Sequence, residues 1–364
     1  MTGRGIDQIL SSPCPPQLYE PRTNSALTYV RLAERINGPI ARGVAPAYIW
    51  GAALEELDRA RPDLRIVNLE TAITRSDAHF PKNINYRMSP ENADCLRAAG
   101  IDGCVLANNH TLDWGEAGLI ETLATLERLQ IKSVGAGRDN RRAADPVVFD
   151  TGKGRLILFA VASITSGTPA NWAGGENAPG VNVLTDLSDA AVARIAEQTA
   201  KLKQTGDIVM VSIHWGPNWG YDVPKAQRRF AHALIDSAGV SIVHGHSSHH
   251  PKSIEIYQNR LVLYGCGDFL NDYEGISGYE EFRDDLTLMY FADVDPANGQ
   301  LTRLEMVPLQ IRRFQLVRPS EADRVWLQRR LDRVCEPLDA RVMLSPAGRF
   351  TLSWPSCPSR EDIA

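Results

Sequence analysis

The residues best suited to chemistry in this chain are histidines, asparagines and one glutamate, and they fall at the ends of apolar runs. Leu64–Leu69 runs into Glu70, and Gly103–Ala107 runs into Asn108, Asn109 and His110. Asp207–Ile213 runs into His214, and Val240–Val243 into His244, Gly245 and His246. Six of the eight histidines lie in these segments or, as His249 and His250, directly after the last, and four of them stand within the seven residues His244 to His250. Imidazole with carboxylate and amide oxygen suits Zn, Mn or Fe rather than Ca or a thiolate site. A catalytic version of such a site keeps a position for water, whose pKa the metal lowers towards about 7. Each segment also has a plainer reading: Glu70 as an ordinary strand-end carboxylate, Asn108-Asn109 as turn formers, His214 as a core imidazole beside Trp215. Four segments of one kind, each at the end of a strand-like run, outweigh those separate readings.

Ligands of α/β sheets bind outside the carboxyl ends of strands, so the elements must be strands that share one rim. The pattern fits. After a weakly patterned stretch to about residue 62, with a Pro/Ser-rich loop at Ser11–Pro21 and a short helix at Gly51–Ala60, apolar runs and helical periods alternate. Helices are expected at Pro90–Ala99, from Asp113 (capping, with Glu116 three residues on) through Leu126, at Leu187–Leu202, from Pro224 to Gly239 and at Ser320–Cys335. Further strands are expected at Pro146–Phe149 and Arg155–Ala162, joined as a hairpin, and at Ser253–Tyr257, Leu261–Gly265 and Leu286–Asp293, the later ones antiparallel. This is an α/β chain read as one domain over residues 1–337, with a C-terminal tail at 338–364 that shows no clear periodicity.

Composition narrows the classes further. The 364 residues are 43% hydrophobic and 23% charged, as in ordinary globular proteins, and 28 Gly with 22 Pro are too few for a low-complexity chain. A net charge of -5 argues against a nucleic-acid partner. No apolar run reaches the ~18 residues of a transmembrane helix, and Met1–Ser12 has no signal-like apolar core, which gives the expectation of a cytoplasmic protein. The six scattered cysteines form no CxxC pair and read as reduced thiols.

The blocks Asn68-Leu-Glu-Thr71, Ala107-Asn-Asn-His110, His214-Trp-Gly216, Gly245-His-Ser-Ser-His249 and Tyr264-Gly-Cys-Gly-Asp-Phe269 resemble, in order and spacing, the CapA family. That family is named for poly-gamma-glutamate capsule synthesis and lies within the calcineurin-like metallophosphoesterase superfamily. The resemblance spans roughly residues 1 to 270 and implies a β-sandwich flanked by helices. It implies that Glu70 bridges two metal positions, that Asn109, His214 and His246 complete the second, and that His249 belongs to the first. It makes His110 the general acid, an imidazole expected to titrate near neutrality. Tyr221 and Asp222 become candidates for substrate contact, together with Asp268, which stands where many members carry Asn; His244 and His250 receive no role.

The family opens with a strand ending Gly-Asp-Val before a stretch like Met1-Thr-Gly-Arg4, so that strand and its Asp ligand are absent from this sequence, and Met1 stands where the superfamily has His. The expectation is one tightly held divalent ion (Mn, Zn or Fe) and a weak second site. The function implied is a metal-dependent hydrolase with a phosphoesterase-like site, acting on a small molecule or polymer in capsule or envelope polymer synthesis. The alternatives are an amide hydrolase or transferase on polyglutamate-type chains, and a non-catalytic component of a polymer-synthesis complex.

Overall fold

The computed structural model of the chain describes residues 1–355. Its largest sheet has seven strands. Arg155–Ser163, Ile208–His214, Ile242–His246 and Arg260–Leu263 run parallel in that order, and Val183–Leu184 extends the sheet beside the end of Arg155–Ser163. Val147–Asp150 and Ile254–Tyr257 add antiparallel partners to Arg155–Ser163 and Arg260–Leu263. The near-continuous apolar runs of the central strands follow from burial on both faces.

Alternation along each strand decides which side chain meets which layer. Ile157, Phe159, Val161, Val209, Val211 and Ile213 turn to one face, where they pack with Ile195 of helix Asp189–Leu202 and Phe230 and Leu234 of helix Lys225–Ala238. The alternate residues Leu158, Ala160, Ala162 and Met210 join a second core on the other face. Ser212 and His214 continue that second set, so the polar end of the strand is delivered to the face without the two helices.

A three-stranded parallel sheet, Ile66–Asn68, Gly103–Val105 and Lys132–Val134, contributes to the second core with helix Gly115–Arg128. The two sheets meet closely at Gly135, which has φ 90°: a Cβ there would lie 2.6 Å from that of Ala107 and 2.8 Å from that of Ala160. A third, antiparallel sheet contains Leu286–Val294, Leu301–Arg312, Phe350–Ser353 and Arg341–Leu344, with Gln315–Val317 on the second of these.

The α/β class holds, and most expected elements are present with trimmed ends. The differences have physical causes. The stretch before residue 62 contains a helix, Leu27–Asn37, and a hairpin of Gln17–Glu20 with Thr23–Ser25, whose first strand lies inside the expected loop Ser11–Pro21. The helix expected over Pro90–Ala99 shortens to Asp94–Ala98. Asp113 caps no helix: Gly115–Arg128 follows Trp114, and no side chain caps it. The closely spaced late strands do not form one meander. Ile254–Tyr257 and Arg260–Leu263 close the large sheet, whereas Leu286–Val294 enters the third one.

The tail also differs from its sequence reading. Arg341–Leu344 and Phe350–Ser353 are strands, and Val342, Phe350, Leu352 and Trp354 are buried with Leu327, Leu331 and Cys335 of helix Glu321–Cys335. Two four-residue strands are too short to display a period. Cys357 lies outside the described residues. Truncation of Phe350 to alanine should lower stability by about 3–5 kcal/mol, as loss of a fully buried ring does, measured as a shift of the urea midpoint at constant m-value. A change below about 1 kcal/mol would show that the last strands are not part of the core.

Candidate metal centre

Register brings the histidines together. Ala162, His214 and His246 are cross-strand neighbours on three adjacent parallel strands, and Ser212 pairs with His244 one step back. Because 212, 214, 244 and 246 share parity, all four side chains stand on the face away from the two covering helices. His214 Nδ1 lies 2.7 Å from His246 Nδ1, and Ser212 Oγ lies 2.9 Å from both His246 Nε2 and His244 Nδ1. His214 Nε2 reaches Asn109 Oδ1 at 3.1 Å. An amide oxygen only accepts, so in this arrangement His214 Nε2 carries the proton. The rest of the row follows: His246 donates to His214, Ser212 to His246, and His244 to Ser212.

Burial holds this row neutral. His214 and His246 are driven well below the usual histidine range, by desolvation first and then by neighbouring histidines, and desolvation alone pushes His244 down to about 4. Neutral imidazoles are what a metal ion requires of its ligands.

The smaller sheet supplies the oxygens. Glu70 follows strand Ile66–Asn68, and its Oε1 lies 3.7 Å from His214 Nε2 and 3.9 Å from His110 Nε2. Its other oxygen accepts from Asn68 Nδ2 at 3.0 Å. Asn108 builds the turn beyond Gly103–Val105. Its Nδ2 donates to the Leu69 carbonyl and to Asn68 Oδ1, and its Oδ1 accepts from the His110 amide, each at 3.0 Å. Adjacent and identical in type, Asn108 ties the two strand ends together while Asn109 faces His214.

His110 is backed by two groups that its sequence neighbourhood did not reveal as partners. Asp113 Oδ2 lies 2.7 Å from His110 Nδ1, and Lys82 Nζ lies 3.1 Å from the same nitrogen and 2.5 Å from Asp113 Oδ1. Burial, then the Lys82 charge, keeps His110 well below its ordinary range, so the expectation of titration near neutrality is corrected. Burial lifts Asp113 to about 7 against the pull of Lys82. Asp113 is signalled by its place three residues after His110. Lys82, in a Pro-Lys-Asn loop, carries no sequence signal.

His249 sits on a different axis. Its Nδ1 lies 3.1 Å from both oxygens of Asp268, and its Nε2 lies 3.4 Å from the Tyr273 hydroxyl. Burial opposes its charge, yet Asp268 holds it above the usual histidine value; burial likewise opposes Asp268, whose carboxyl His249 pulls below its own. Asp268 therefore stands behind His249, where a carboxylate fixes the imidazole's orientation. Tyr221 is half-buried against His250, with ring centroids 4.5 Å apart, and Asp222 is exposed, its carbonyl accepting from Lys252 Nζ.

Among the described residues no three His, Cys, Asp or Glu side chains form a ready coordination shell. One converging oxygen belongs to an amide, and His246 turns its Nδ1 to His214 rather than to Glu70. The donor chemistry nevertheless fits a divalent ion. Two ligands on one ion at about 2.0–2.2 Å stand roughly 3–3.6 Å apart, close to the separations of His214 Nε2 from Asn109 Oδ1 and Glu70 Oε1. Glu70 also needs a cation: burial lifts its carboxyl to about 7, only partly offset by His249.

That need sets a pH signature in metal-free protein. A carboxyl whose pKa is raised on folding holds its proton longer in the native state, so its contribution to stability falls as pH rises from about 4.5 to about 7. Replacing Glu70 by Gln should therefore stabilise the chelator-treated protein relative to wild type by on the order of 3 kcal/mol at pH 8 and hardly at all at pH 4.5. Thermal melts at both pH values check this, and a pH-independent difference would refute the buried, cation-poor carboxylate.

Known proteins match this chain over the stretch that carries these residues. The family model described as "Bacterial capsule synthesis protein PGA_cap" matches residues 1–273, which include every residue discussed for this centre. A protein named "Probable polyglutamine synthesis accessory protein" from Mycobacterium tuberculosis is 45% identical over 350 residues, 95% of this chain and 92% of that protein. "PGA biosynthesis protein CapA" of Bacillus subtilis is 28% identical over 246 residues, 67% of this chain and 60% of its own length. "Capsule biosynthesis protein CapA" of Bacillus anthracis is 27% identical over 230 residues, 63% and 53%. With three quarters of its length matched by that model, the chain belongs to the PGA_cap family of bacterial capsule synthesis proteins.

Proposed function

We propose that this protein is a metal-dependent hydrolase with a phosphoesterase-like site, on a calcineurin-like metallophosphoesterase architecture, serving the synthesis of poly-gamma-glutamate or a related envelope polymer. The observation that carries the reading is the convergence of Glu70 Oε1, Asn109 Oδ1 and His214 Nε2 beside the His110 imidazole. A Mn, Zn or Fe ion would be held by Glu70, Asn109 and His214, with His246 joining them after a turn of its ring, and would supply Lewis acidity at the scissile group. Binding through His214 Nε2 would require His214 to carry its proton on Nδ1 instead, which the turn of the His246 ring permits by freeing that nitrogen from the His246 Nδ1 contact. His110 Nε2 faces the same carboxylate; as a neutral imidazole it gives its Nε2 proton to the leaving oxygen while its Nδ1 receives one from Asp113, whose carboxyl burial lifts to about 7 beside Lys82. One ion is held tightly, since the His249 side offers His249 and the shared Glu70, with Asp268 engaged on Nδ1.

The polymer link rests on the names of the relatives, one of which describes an accessory protein. That word favours a second reading, a non-catalytic component of a polymer-synthesis complex.

Turnover assays on protein loaded with Mn, Zn or Fe separate the readings. The expected result is hydrolysis of simple phosphoesters with one tight metal equivalent per chain, reduced about 10²–10⁴-fold in His110→Ala. Cleavage of γ-glutamyl amides without phosphoesters would replace the reading by the amide-hydrolase one. Tight metal with neither activity would leave the accessory role, and two tight ions would overturn the donor count.

A further inference from the structure

The side chains of the centre are closed off from solvent. Glu70, His110, His214, His246 and His249 are each no more than 7% exposed, and Asn109 alone of the expected ligands is half-buried. Over His249 the cover is aromatic. The Trp219 ring centre lies 5.3 Å from that of His249, and its loop is tied to the same residue, since the His249 amide donates to the Asn218 carbonyl at 3.0 Å. Tyr279 stacks on Trp219 at 4.1 Å with the planes 8° apart. Phe282 stacks on His250 at 4.7 Å and lies 5.3 Å from Trp219. Tyr279 is exposed and Trp219 half-buried, so residues 277–282 form the outer layer on this side.

That segment is held at its ends and loose between them. On one side the Glu274 carboxylate accepts from the Arg313 and Phe314 amides, and Ile276 packs on the cluster of Leu18, Ala26 and Tyr29. On the other, Arg283 pairs with Asp285 and with Asp323, each at 2.7 Å. Between these anchors residues 277–281 are exposed, and the hydrogen bonds are local: the Gly278 amide donates to the Glu280 carboxylate at 3.0 Å, and the Phe282 amide to the Tyr279 carbonyl at 2.9 Å. Gly278 has φ 106°, and a Cβ there would meet nothing within 4 Å, so glycine serves the backbone conformation and not the space. A cavity of about 250 Å³, bordered by Gly275, Ile276 and Asp284, lies at the foot of the segment. Segments with few tertiary contacts open locally while their anchors stay in place.

Taking from the hydrolase reading only that His249 belongs to the centre, we propose that residues 277–282 are a strap that swings between Gly278 and the Arg283 anchor. Opening lifts Tyr279 and Phe282 away and frees Trp219 to uncover His249 Nε2, the nitrogen that Asp268 leaves available, to ion and substrate. It breaks ring contacts and no ion pair, so the Tyr279–Trp219 stack is the latch.

The test reads chemical access, so it stands whether or not the centre proves hydrolytic. Full-length, metal-free protein is treated with diethyl pyrocarbonate at one fixed pH, and the modification of each histidine is timed by peptide mass spectrometry. In wild type His249 should react slowly relative to His232, which is half-buried on helix Lys225–Ala238. Tyr279→Ala should speed His249 about tenfold, the factor that ~1.4 kcal/mol of lost stacking gives. Tyr279→Phe, which keeps the ring, should hold the wild-type rate. His232, and the fully buried Cys104 probed with N-ethylmaleimide, should not change. Equal His249 rates in wild type and Tyr279→Ala would overturn the strap. So would a rise shared by His232 and Cys104, which marks general loosening, or a Tyr279→Phe protein as reactive as Tyr279→Ala. The expected pattern in a protein without hydrolytic activity would keep the strap and remove only the reading of the centre.

Discussion

The centre depends on one electrostatic constraint: a carboxylate, Glu70, is buried among imidazoles that are themselves held neutral. A buried carboxylate needs a charged partner or a proton. His214 and His246 are kept uncharged by the same desolvation that raises Glu70, so they offer lone pairs rather than positive charge. Neutral donors around an unpaired acid make a poor ion pair and a good cation site. The surrounding architecture exists to keep that combination dry: two sheets meeting at Gly135, with an apolar core behind the strands.

Asp268 and Glu70 show how local environment separates two similar groups. Both are buried and both lie near His249. Asp268 lies against His249 Nδ1, takes the ion pair, and stays ionised; Glu70 lies further off and keeps its affinity for a proton. This division follows from contact: Asp268 touches His249 Nδ1 at 3.1 Å, whereas Glu70 makes no ion pair with that ring. It assigns Asp268 a positioning part that no reading of residue type could give.

How much was legible in the sequence follows from what sequence pattern encodes. The alternating apolar runs revealed the parallel strands, and strand ends revealed Glu70, Asn109, His110, His214 and His246, because period and position are local properties. Orientation within the cluster was not local. That His246 turns to His214 rather than to Glu70, or that Lys82 reaches His110, depends on register between strands far apart in the chain and on a loop with no periodicity. Asp113 was visible but misread: an acid just before a helix suggests a cap, and only the folded turn shows its carboxylate directed at His110 and the Tyr86 amide.

The weakly patterned first forty residues illustrate the same limit from the other side. Besides the apolar residues Ile6, Ile9, Val30 and Ala33 that join the core, their place is fixed by a buried charge network. Arg4 donates to Asp272 and Glu20, and its guanidinium lies 3.8 Å from the ring centre of Tyr29 and 4.3 Å from that of Tyr86. Such a network is costly to break, since any single loss leaves an unpaired buried charge. Tyr86 in turn packs edge-on against His110 with ring centres 4.6 Å apart. The guanidinium that anchors the start of the chain thereby also backs the ring that walls His110. Because its partner Asp272 is 268 residues away, no window of sequence contains both halves of that wall.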